Sequence, residues 1–426
     1  METLSVIIEG SRMGSLSCEN GKLSFQYDAE WLTDRNSYPL STSMPLSSAV
    51  HTHKTVDAFL WGLLPDNRLV LESLAKKFHV SANNAFKLIK HVGADCAGAM
   101  QFISPEKESS YLDPQTAEDV QWLSTDELDE HIRDTIQHSG AGIPTNSEGQ
   151  FSLAGAQLKT ALYQRPESDQ WGIPKGSTPT THILKPAPKE FVGFAENEHY
   201  CLQLAKSLGM EVADSYVEVI ADIPVIVVKR YDRFFDEGLY SRIHQEDFCQ
   251  ALAVHPSKKY QKESGPSVKD IAEVIWDYSS YAQADVKRFA DALIFNYLIA
   301  GGDAHAKNYS LILSYGFCGL APLYDIASSL PYPGSISPHK MTLAMKIGSE
   351  YKLKKIEIHH WKACAKELRL SPDYLTSRLH ELIQLIPSAA NKTAALLHSE
   401  GLDNPVIDIL TEAIEARALS LQSTLS

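Results

Sequence analysis

The residues of this sequence whose types and spacing could do chemistry lie in the loop 301–308, here called the acidic loop, and just beyond it. Asp303 is followed five residues later by Asn308, and Asp325 comes 22 residues after Asp303. This order is typical of the acidic half of a kinase active site. Asp303 would accept the proton of an acceptor hydroxyl, and Asn308 and Asp325 would hold Mg2+, which prefers oxygen ligands. The spacing therefore predicts phosphoryl transfer from ATP.

Local sequence patterns predict the elements that position these groups. The apolar run 289–300 predicts a buried helix that ends at Gly301 and Gly302, which would hold the acidic loop on a rigid support. Residues 309–314 and 317–320 predict two short strands joined by a turn. Such a hairpin would return Asp325 towards Asp303.

A second region could face the phosphates of a nucleotide. Residues 152–160, here called the phosphate loop, are rich in small side chains and carry Lys159 near their end. Small side chains let backbone N–H groups approach phosphate oxygens closely. The order of a Walker A loop is absent, so a plain strand-turn-strand with an exposed lysine fits the pattern equally well.

A lysine at the end of a predicted strand is a candidate for pairing with phosphates. Lys185 closes the β-type run 182–186, and Glu196 and Glu198 open the helix that follows. One of these glutamates could hold Lys185, as a helix glutamate does in protein kinases. Acidic residues in a first helical turn also have a simple electrostatic reason to be there.

The segment Lys229-Arg230-Tyr231 ends the predicted strands and begins a mostly helical region. Such a crossover can offer backbone N–H and C=O groups to an adenine edge, with Tyr231 packed beside the ring. A charged linker between two lobes is an equally good interpretation of the local sequence.

The bulk properties are those of a globular protein without a general affinity for nucleic acids. The chain has 426 residues, 44% of them hydrophobic, a mean hydropathy of -0.20 and a net charge of -14. Nucleic-acid binding needs clustered Lys and Arg. The six cysteines include no Cys-x-x-Cys pair, which argues against zinc and disulfide frameworks. No signal peptide and no membrane span are recognisable, so we expect a cytoplasmic protein.

We predict an α+β protein with four successive regions. Residues 1–103 would form a small α+β domain with strands at 4–8 and 21–27 and helices at 56–64, 68–78 and 82–91, the last capped by Ser81. Residues 104–150 would be a connector with a helix from about 125 to 137 and a mobile loop at 139–150. Residues 151–231 would form a strand lobe, and residues 232–426 a helical lobe.

In the strand lobe we expect strands at 160–164, 181–184, 216–220 and 225–228, and a helix from about Glu196 to Leu208. In the helical lobe the last helix should have Asn404 as its cap and Pro405 in its first turn.

Taken in order, these motifs closely resemble the HipA family, the serine/threonine kinase toxins of bacterial toxin–antitoxin pairs. The segments that carry the resemblance are 152–160, 182–186, 196–198, 229–233, 244–247, 302–308 and 324–325, with 59–66 similar to the family's N-terminal subdomain. The resemblance implies a bilobed protein-kinase-like fold that uses ATP and Mg2+.

The resemblance also implies roles for individual residues. Asp303 would be the catalytic base, and Asn308 and Asp325 the metal ligands. The residues implied to bind ATP are Ala154, Gly155, Ala156, Gln157, Lys159, Lys185, Lys229, Arg230, Tyr231, His305 and Tyr324. The sequence departs from the family pattern at Leu158 and at Lys229, where Glu is common.

Ser152 matches the family's autophosphorylation position. A phosphate about 5 Å from those of ATP would cost roughly 3 kcal/mol per pair of unit charges at an effective dielectric of about 20. We therefore expect phosphorylation of Ser152 to switch the enzyme off by ejecting the phosphate loop.

Family members phosphorylate an aminoacyl-tRNA synthetase, glutamyl-tRNA synthetase in the best-known case, which stalls translation and favours dormancy. They are restrained by a small DNA-binding antitoxin, HipB, with which they repress their own operon. The basic stretch 345–362 could touch operator DNA when an antitoxin delivers the complex, although a solvated surface is favoured. Two other functions remain open: a catalytically silent module that binds an antitoxin, and a kinase for lipids or small molecules.

Overall fold

In the computed structural model, which describes residues 1–112, 118–137, 152–155, 157–166, 168–188, 191–333 and 340–425, the chain opens on an antiparallel sheet of order β4-β3-β2-β1-β5. The predicted strands at 4–8 and 21–27 are confirmed as β1 and β3, with β2 between them. The elements of this N-terminal domain are β1 (Glu2–Ile8), β2 (Ser11–Glu19), β3 (Lys22–Tyr27), α1 (Ala29–Thr33), β4 (Val50–Thr52), α2 (His53–Leu63), α3 (Arg68–Phe78), α4 (Ala85–Val92), β5 (Met100–Ile103) and α5 (Ser109–Leu112).

Two of the predicted helices in this domain differ at their starts. Helix α2 begins at His53, three residues before the predicted start. Helix α4 begins at Ala85 with Asn84 as its cap, so the predicted start at 82 with Ser81 as the cap is wrong. The Asn84 side chain accepts from the Lys87 N–H at 3.0 Å, whereas the Ser81 hydroxyl accepts from the Asn83 N–H in the preceding turn. Two capping residues three positions apart compete here, and the later one starts the helix.

A second sheet, of order β10-β11-β9-β7, forms the strand lobe. Its elements, with those of the connector before it, are β6 (Val120–Trp122), α6 (Thr125–Gln137), β7 (Thr160–Leu162), β8 (Gly172–Pro174), β9 (His182–Pro186), α7 (Phe194–Ser207), β10 (Ser215–Ile220) and β11 (Ile223–Lys229). The four predicted strands and the helix are therefore confirmed, within a few residues at their ends.

The connector is attached to the strand lobe. Strand β6 pairs with β8, and Leu128 and Ile132 of α6 share a buried cluster with Leu184 and Val227. Helix α6 matches the predicted helix at 125–137, and a capping box at Ser124 and Glu127 starts it. The predicted mobile loop 139–150 lies outside the described residues.

The rest of the chain is mainly helical, with short antiparallel sheets at its edge. Its elements are β12 (Arg233–Asp236), β13 (Leu239–Arg242), β14 (His244–Asp247), α8 (Phe248–Ala251), α9 (Val268–Tyr278), α10 (Ala282–Leu298), β15 (Ser310–Ser314), β16 (Phe317–Leu320), β17 (Thr342–Ile347), β18 (Glu350–Lys352), α11 (Ile358–Glu367), α12 (Pro372–Ser399) and α13 (Val406–Thr424). Helix α10 is buried along most of its length and ends just before the acidic loop.

Helix α13 starts at Val406, so Pro405 precedes its first turn. Pro405 occupies the cap position, so the predicted cap at Asn404 is wrong by one residue, although the Asn404 side chain accepts from the Val406 N–H at 3.1 Å. The hairpin predicted between Asp303 and Asp325 is confirmed: β15 pairs with β16, and Ser314 lies opposite Phe317. Over the described ranges, no helix has the length and apolar character needed to cross a bilayer.

Candidate active site

A cleft of about 1160 Å³ lies between the strand lobe and the helical lobe. Most of the predicted site residues line it. Those are Ala154, Gly155, Gln157, Lys159, Lys185, Lys229, Arg230, Tyr231, Asp303, His305, Asn308, Tyr324 and Asp325. Ala156 lies outside the described residues, and Ser152 is buried behind the cleft wall.

Lys185 lies at the centre of the charged groups in the cleft. Its ammonium is 2.6 Å from Oε1 of Glu198 on α7 and 2.7 Å from Oδ1 of Asp325. Of the two glutamates considered as partners, Glu198 therefore holds Lys185. Glu196 instead accepts a hydrogen bond from Asn404 at 2.9 Å. Strand β9, helix α7 and the segment after β16 thus meet at one lysine.

Charge outweighs burial in setting the ionisation of Lys185 and Asp325, whereas burial prevails for Glu198 and raises its pKa. Burial lowers the pKa of Lys185, but Asp325 and Glu198 act against it and the pKa ends above its usual value. Burial raises the pKa of Asp325, but Lys185 and Lys159 overcome it and the pKa ends below its usual value. An ammonium shared by two carboxylates leaves an excess negative charge, which suits a bound cation.

The acidic loop is fixed by its own backbone. The Asp303 carbonyl accepts from the His305 N–H at 2.7 Å and from Nδ2 of Asn308 at 2.9 Å. With Nδ2 engaged in this way, the Asn308 amide keeps its oxygen for another ligand. Tyr324 ties the loop to β15, because its hydroxyl lies 2.6 Å from Oγ of Ser310 and donates to the Lys307 carbonyl at 2.7 Å.

The Asp303 carboxylate faces the open cleft, with 72% of its side chain exposed. The hydroxyl of Tyr260 donates a hydrogen bond to it. The enclosing walls raise the pKa of Asp303, and the Tyr260 hydroxyl acts in the opposite direction. Sequence reasoning missed Tyr260, although its place in the basic run 258–262 was a usable signal.

The side chain of His305, within the acidic loop, is buried, with its ring 4.9 Å from that of Tyr260. Burial lowers the pKa of His305 to about 3, so the imidazole is neutral at physiological pH. Among the described residues its Nδ1 has no hydrogen-bond partner, and the same is true of Nε2 of Gln157 in the phosphate loop. Buried polar atoms without partners at a cleft are available to a polar ligand.

The phosphate loop is folded against the N-terminal domain. The Ser152 hydroxyl donates to the Leu63 carbonyl at 2.7 Å, and only 2% of the residue is exposed. Gly155 has a φ of +110°, which side chains disfavour, and an added Cβ would lie 2.5 Å from Nζ of Lys159. The loop therefore needs glycine here for its path and for the space taken by the lysine.

Lys159 bends back over the loop and donates to the Ala154 carbonyl at 2.7 Å. Burial is the main reason that its pKa falls to about 8, and Asp325 acts against this.

The Arg230 side chain of the predicted hinge is held by residues of the protein itself. Its buried guanidinium bonds Asp232, Thr180 and the Cys96 carbonyl at 2.7–2.9 Å. The backbone N–H of Arg230 donates to the Thr181 carbonyl at 3.0 Å. The contact of the hinge with adenine was predicted for its backbone groups, so it stays a prediction. The ring of Tyr231 lies 5.8 Å from that of Tyr324.

The donor set suits a magnesium nucleotide. Asn308 and Asp325 offer amide and carboxylate oxygens, the ligands a hard cation prefers. Lys159 and Lys185 offer positive charge beside the glycine of the phosphate loop. A β-rich lobe, a helical lobe and this lysine–carboxylate group between them define a bilobed protein-kinase-like fold.

Comparisons with known proteins agree with that class. The model of the HipA-like C-terminal domain matches residues 151–390, and that of the HipA N-terminal domain matches residues 4–103. Y4mE of Sinorhizobium fredii, which is named as a kinase, is 34% identical over 98% of each chain. The serine/threonine-protein kinase toxin HipA of Shewanella oneidensis is 29% identical over 93% of this chain and 90% of its own length.

A solved structure is also similar throughout. HipA of Shewanella oneidensis, in its complex with HipB and operator DNA, superimposes with a TM-score of 0.83 and 25% identity, covering 99% of this chain and 98% of that one. The chain belongs to the HipA family of serine/threonine-protein kinases.

Proposed function

We propose that this chain uses ATP and Mg2+ to phosphorylate a serine or threonine of another protein. The observation that carries the proposal is the buried pairing of Lys185 with both Glu198 and Asp325. A strand lysine held by a helix glutamate beside a metal-binding aspartate is the arrangement that kinases need for phosphoryl transfer.

The residues of the cleft have different roles in the proposed reaction. When bound, ATP supplies the phosphoryl group and Mg2+ neutralises charge on its phosphates. Lys185 and Lys159 contact phosphate oxygens, and Asn308 and Asp325 hold the metal. The backbone of 229–231 meets the adenine. Asp303 orients the acceptor hydroxyl and accepts its proton at the carboxylate now bonded by Tyr260.

Phosphorylation of Ser152 regulates this activity. In the structure the hydroxyl is buried against the Leu63 carbonyl, so the phosphate loop must leave that position before Ser152 can react. A phosphate carries a charge of about −1.5 to −2 and does not fit a site that holds the phosphates of ATP. The phosphorylated loop therefore stays outside the nucleotide site, and the affinity for ATP falls by about a hundredfold.

The substrate is an aminoacyl-tRNA synthetase, with glutamyl-tRNA synthetase as the first candidate. Its phosphorylation in the cytoplasm arrests translation and growth and promotes persistence. A HipB-like DNA-binding antitoxin restrains the kinase and represses the operon with it. The kinase contacts operator DNA only as part of that complex. The antitoxin partner is supported by the similarity to the Shewanella oneidensis toxin, solved in a complex with HipB and operator DNA. The synthetase substrate rests on the family resemblance of the motifs.

Phosphoproteomics after brief expression tests the proposal. Wild type should raise phosphorylation of one synthetase and of Ser152 within minutes, and Asp303→Ala should raise neither. A silent antitoxin-binding module would give identical phosphoproteomes for both forms. A lipid or small-molecule kinase would leave proteins unlabelled, although the purified wild type would still consume ATP when given cell metabolites.

A further inference from the structure

Residues 62–66 comprise the last two residues of α2 and the first part of its connection to α3 in the N-terminal domain, and they contact loops on both sides of the cleft. We call them the 62–66 segment. Helix α2 stops at Leu63, just before Pro65, so the carbonyls of its last turn have no partner within the helix. Two of these carbonyls accept hydrogen bonds from the nucleotide-facing loops.

On one side, the 62–66 segment holds the phosphate loop. The Leu63 carbonyl accepts from the Ser152 hydroxyl at 2.7 Å. The Asp66 N–H donates to the Gly155 carbonyl at 3.0 Å, within a parallel bridge between Pro65 and Gly155. A side-chain bond and a backbone bridge thus fix the part of the loop that faces the phosphates.

On the other side, the same segment holds the acidic loop. The Gly62 carbonyl accepts from Nζ of Lys307 at 3.1 Å. The Asp66 carboxylate lies 3.3 Å from that ammonium and 2.7 Å from the ammonium of Lys259. Lys259 in turn precedes Tyr260, whose hydroxyl bonds Asp303. Two cations from the helical lobe therefore converge on one carboxylate of the N-terminal domain.

Burial makes these contacts strong. The side chains of Asp66 and Lys259 are each 12% exposed, and that of Lys307 is 3% exposed. Burial alone would raise the pKa of Asp66, but Lys307 and Lys259 hold it below its usual value. Removing one member of a buried charged group leaves the others uncompensated, which costs far more than the loss of an exposed pair.

We propose that Asp66 is a positioning residue that holds the phosphate loop and the acidic loop in register across the cleft. Its N–H sets the place of Gly155 and its carboxylate sets the place of Lys307. The contact between Asp66 and Lys307 also keeps Ser152 buried while both loops are held in place. The effect on catalysis rests on the proposed kinase function, whereas the effect on the accessibility of Ser152 does not.

A thiol placed at position 152 tests the second effect without any need for activity. In a Ser152→Cys protein, labelling of this cysteine by a maleimide is followed by peptide mass spectrometry, which separates it from the six natural cysteines. Adding Asp66→Asn should speed labelling by about tenfold or more, because Lys259 loses its carboxylate partner at 2.7 Å, Lys307 keeps the more distant Asp247 at 3.7 Å, and the segment is freed. Adding Glu72→Gln, on the exposed face of α3, should leave the labelling rate unchanged.

Steady-state kinetics of the otherwise unmodified protein test the first effect. Asp66→Asn should lower kcat by about tenfold to a hundredfold, as expected for reacting groups displaced by about an ångström. The KM for ATP should change much less, since the residues that contact the nucleotide remain. Asp66→Glu keeps the carboxylate and should recover most of kcat. Glu72→Gln is again the control.

The outcomes are separable. Faster labelling together with a lower kcat and rescue by Asp66→Glu supports the proposal. Unchanged labelling, or an unchanged kcat, in folded Asp66→Asn overturns it. A wild type that transfers no phosphate contradicts the proposed function instead, and labelling still tests the contact. Should Asp66→Asn fail to fold, Lys259→Gln removes the 2.7 Å partner alone and is judged by the same two measurements.

Discussion

At the scale of single residues, the cleft is organised around one ammonium shared by two carboxylates. Glu198 is 1% exposed and the Lys185 side chain 6%, whereas Asp325 is 31% exposed. The enclosed Glu198 carboxylate thus orients the lysine, whereas part of the Asp325 carboxylate remains exposed to the cleft. This difference in exposure separates a residue that positions Lys185 from one that can also reach a metal.

The two partners of Lys185 should therefore respond differently to substitution. Lys185→Met should lower kcat/KM for ATP by at least about a hundredfold, because it removes charge stabilisation from the phosphates. Glu198→Gln should cost less, since Asp325 still holds the lysine. Phosphate release or transfer measured over a range of ATP concentrations gives both values. A Glu198→Gln protein as impaired as Lys185→Met would contradict this division of roles.

At the scale of elements, sequence patterns predicted the strands and the hairpin that depend on residues close together in sequence. The hairpin of β15 and β16 followed from two β-type runs around Tyr315-Gly316, and the strand lobe followed from its apolar runs. The orientation of Arg230 could not be predicted, because its partner Cys96 comes from the N-terminal domain. The choice between Glu196 and Glu198 also depended on packing, since Asn404, far away in sequence, takes Glu196.

The shape of the phosphate loop gives a prediction at the same scale. Gly155→Ala would force a side chain into a φ of +110° and place its Cβ 2.5 Å from Nζ of Lys159. We expect ATP affinity measured by calorimetry to fall by about tenfold or more, from backbone strain of about 1–3 kcal/mol together with displacement of Lys159.

Gly176→Ala is the matched control for the Gly155→Ala prediction. It has a φ of +58° and no atom within 4 Å of the added Cβ, so it carries backbone strain outside the cleft. ATP affinity should be unchanged in that protein. Equal losses of affinity in the two variants would show that strain, and not the site, is responsible.

At the scale of the whole molecule, the N-terminal domain is built into the kinase. Glu246 of β14 is 1% exposed and accepts hydrogen bonds from the Ser41 hydroxyl and from the Thr42 N–H, the latter at 2.8 Å. The 62–66 segment adds contacts to both loops of the cleft. The short motifs alone did not predict this, because each contact joins residues far apart in sequence.

The carboxyl of Glu246 makes this interface sensitive to pH. Burial raises its pKa from 4.5 to about 7, and the bonds from Ser41 and Thr42 act against this. Between these two values the folded protein binds more protons than the unfolded chain, so stability is lost as pH rises through that window.

Glu246→Gln removes this ionisation. The Tm of the variant relative to wild type should therefore be higher at pH 8 than at pH 5, as measured by differential scanning fluorimetry. The exposed Glu72→Gln should show no such difference between the two pH values. A Tm difference for Glu246→Gln that is the same at both pH values would contradict the assignment.

Transfer of labelled phosphate from [γ-32P]ATP tests the central claim most directly. Purified wild type with Mg2+ should label a protein acceptor, and Asp303→Asn should reduce the initial rate by about a hundredfold to ten-thousandfold. Asp277→Asn, an exposed aspartate on α9, should retain the wild-type rate. Labelling by Asp303→Asn at the wild-type rate, or no labelling by wild type, would contradict a kinase site built on the acidic loop.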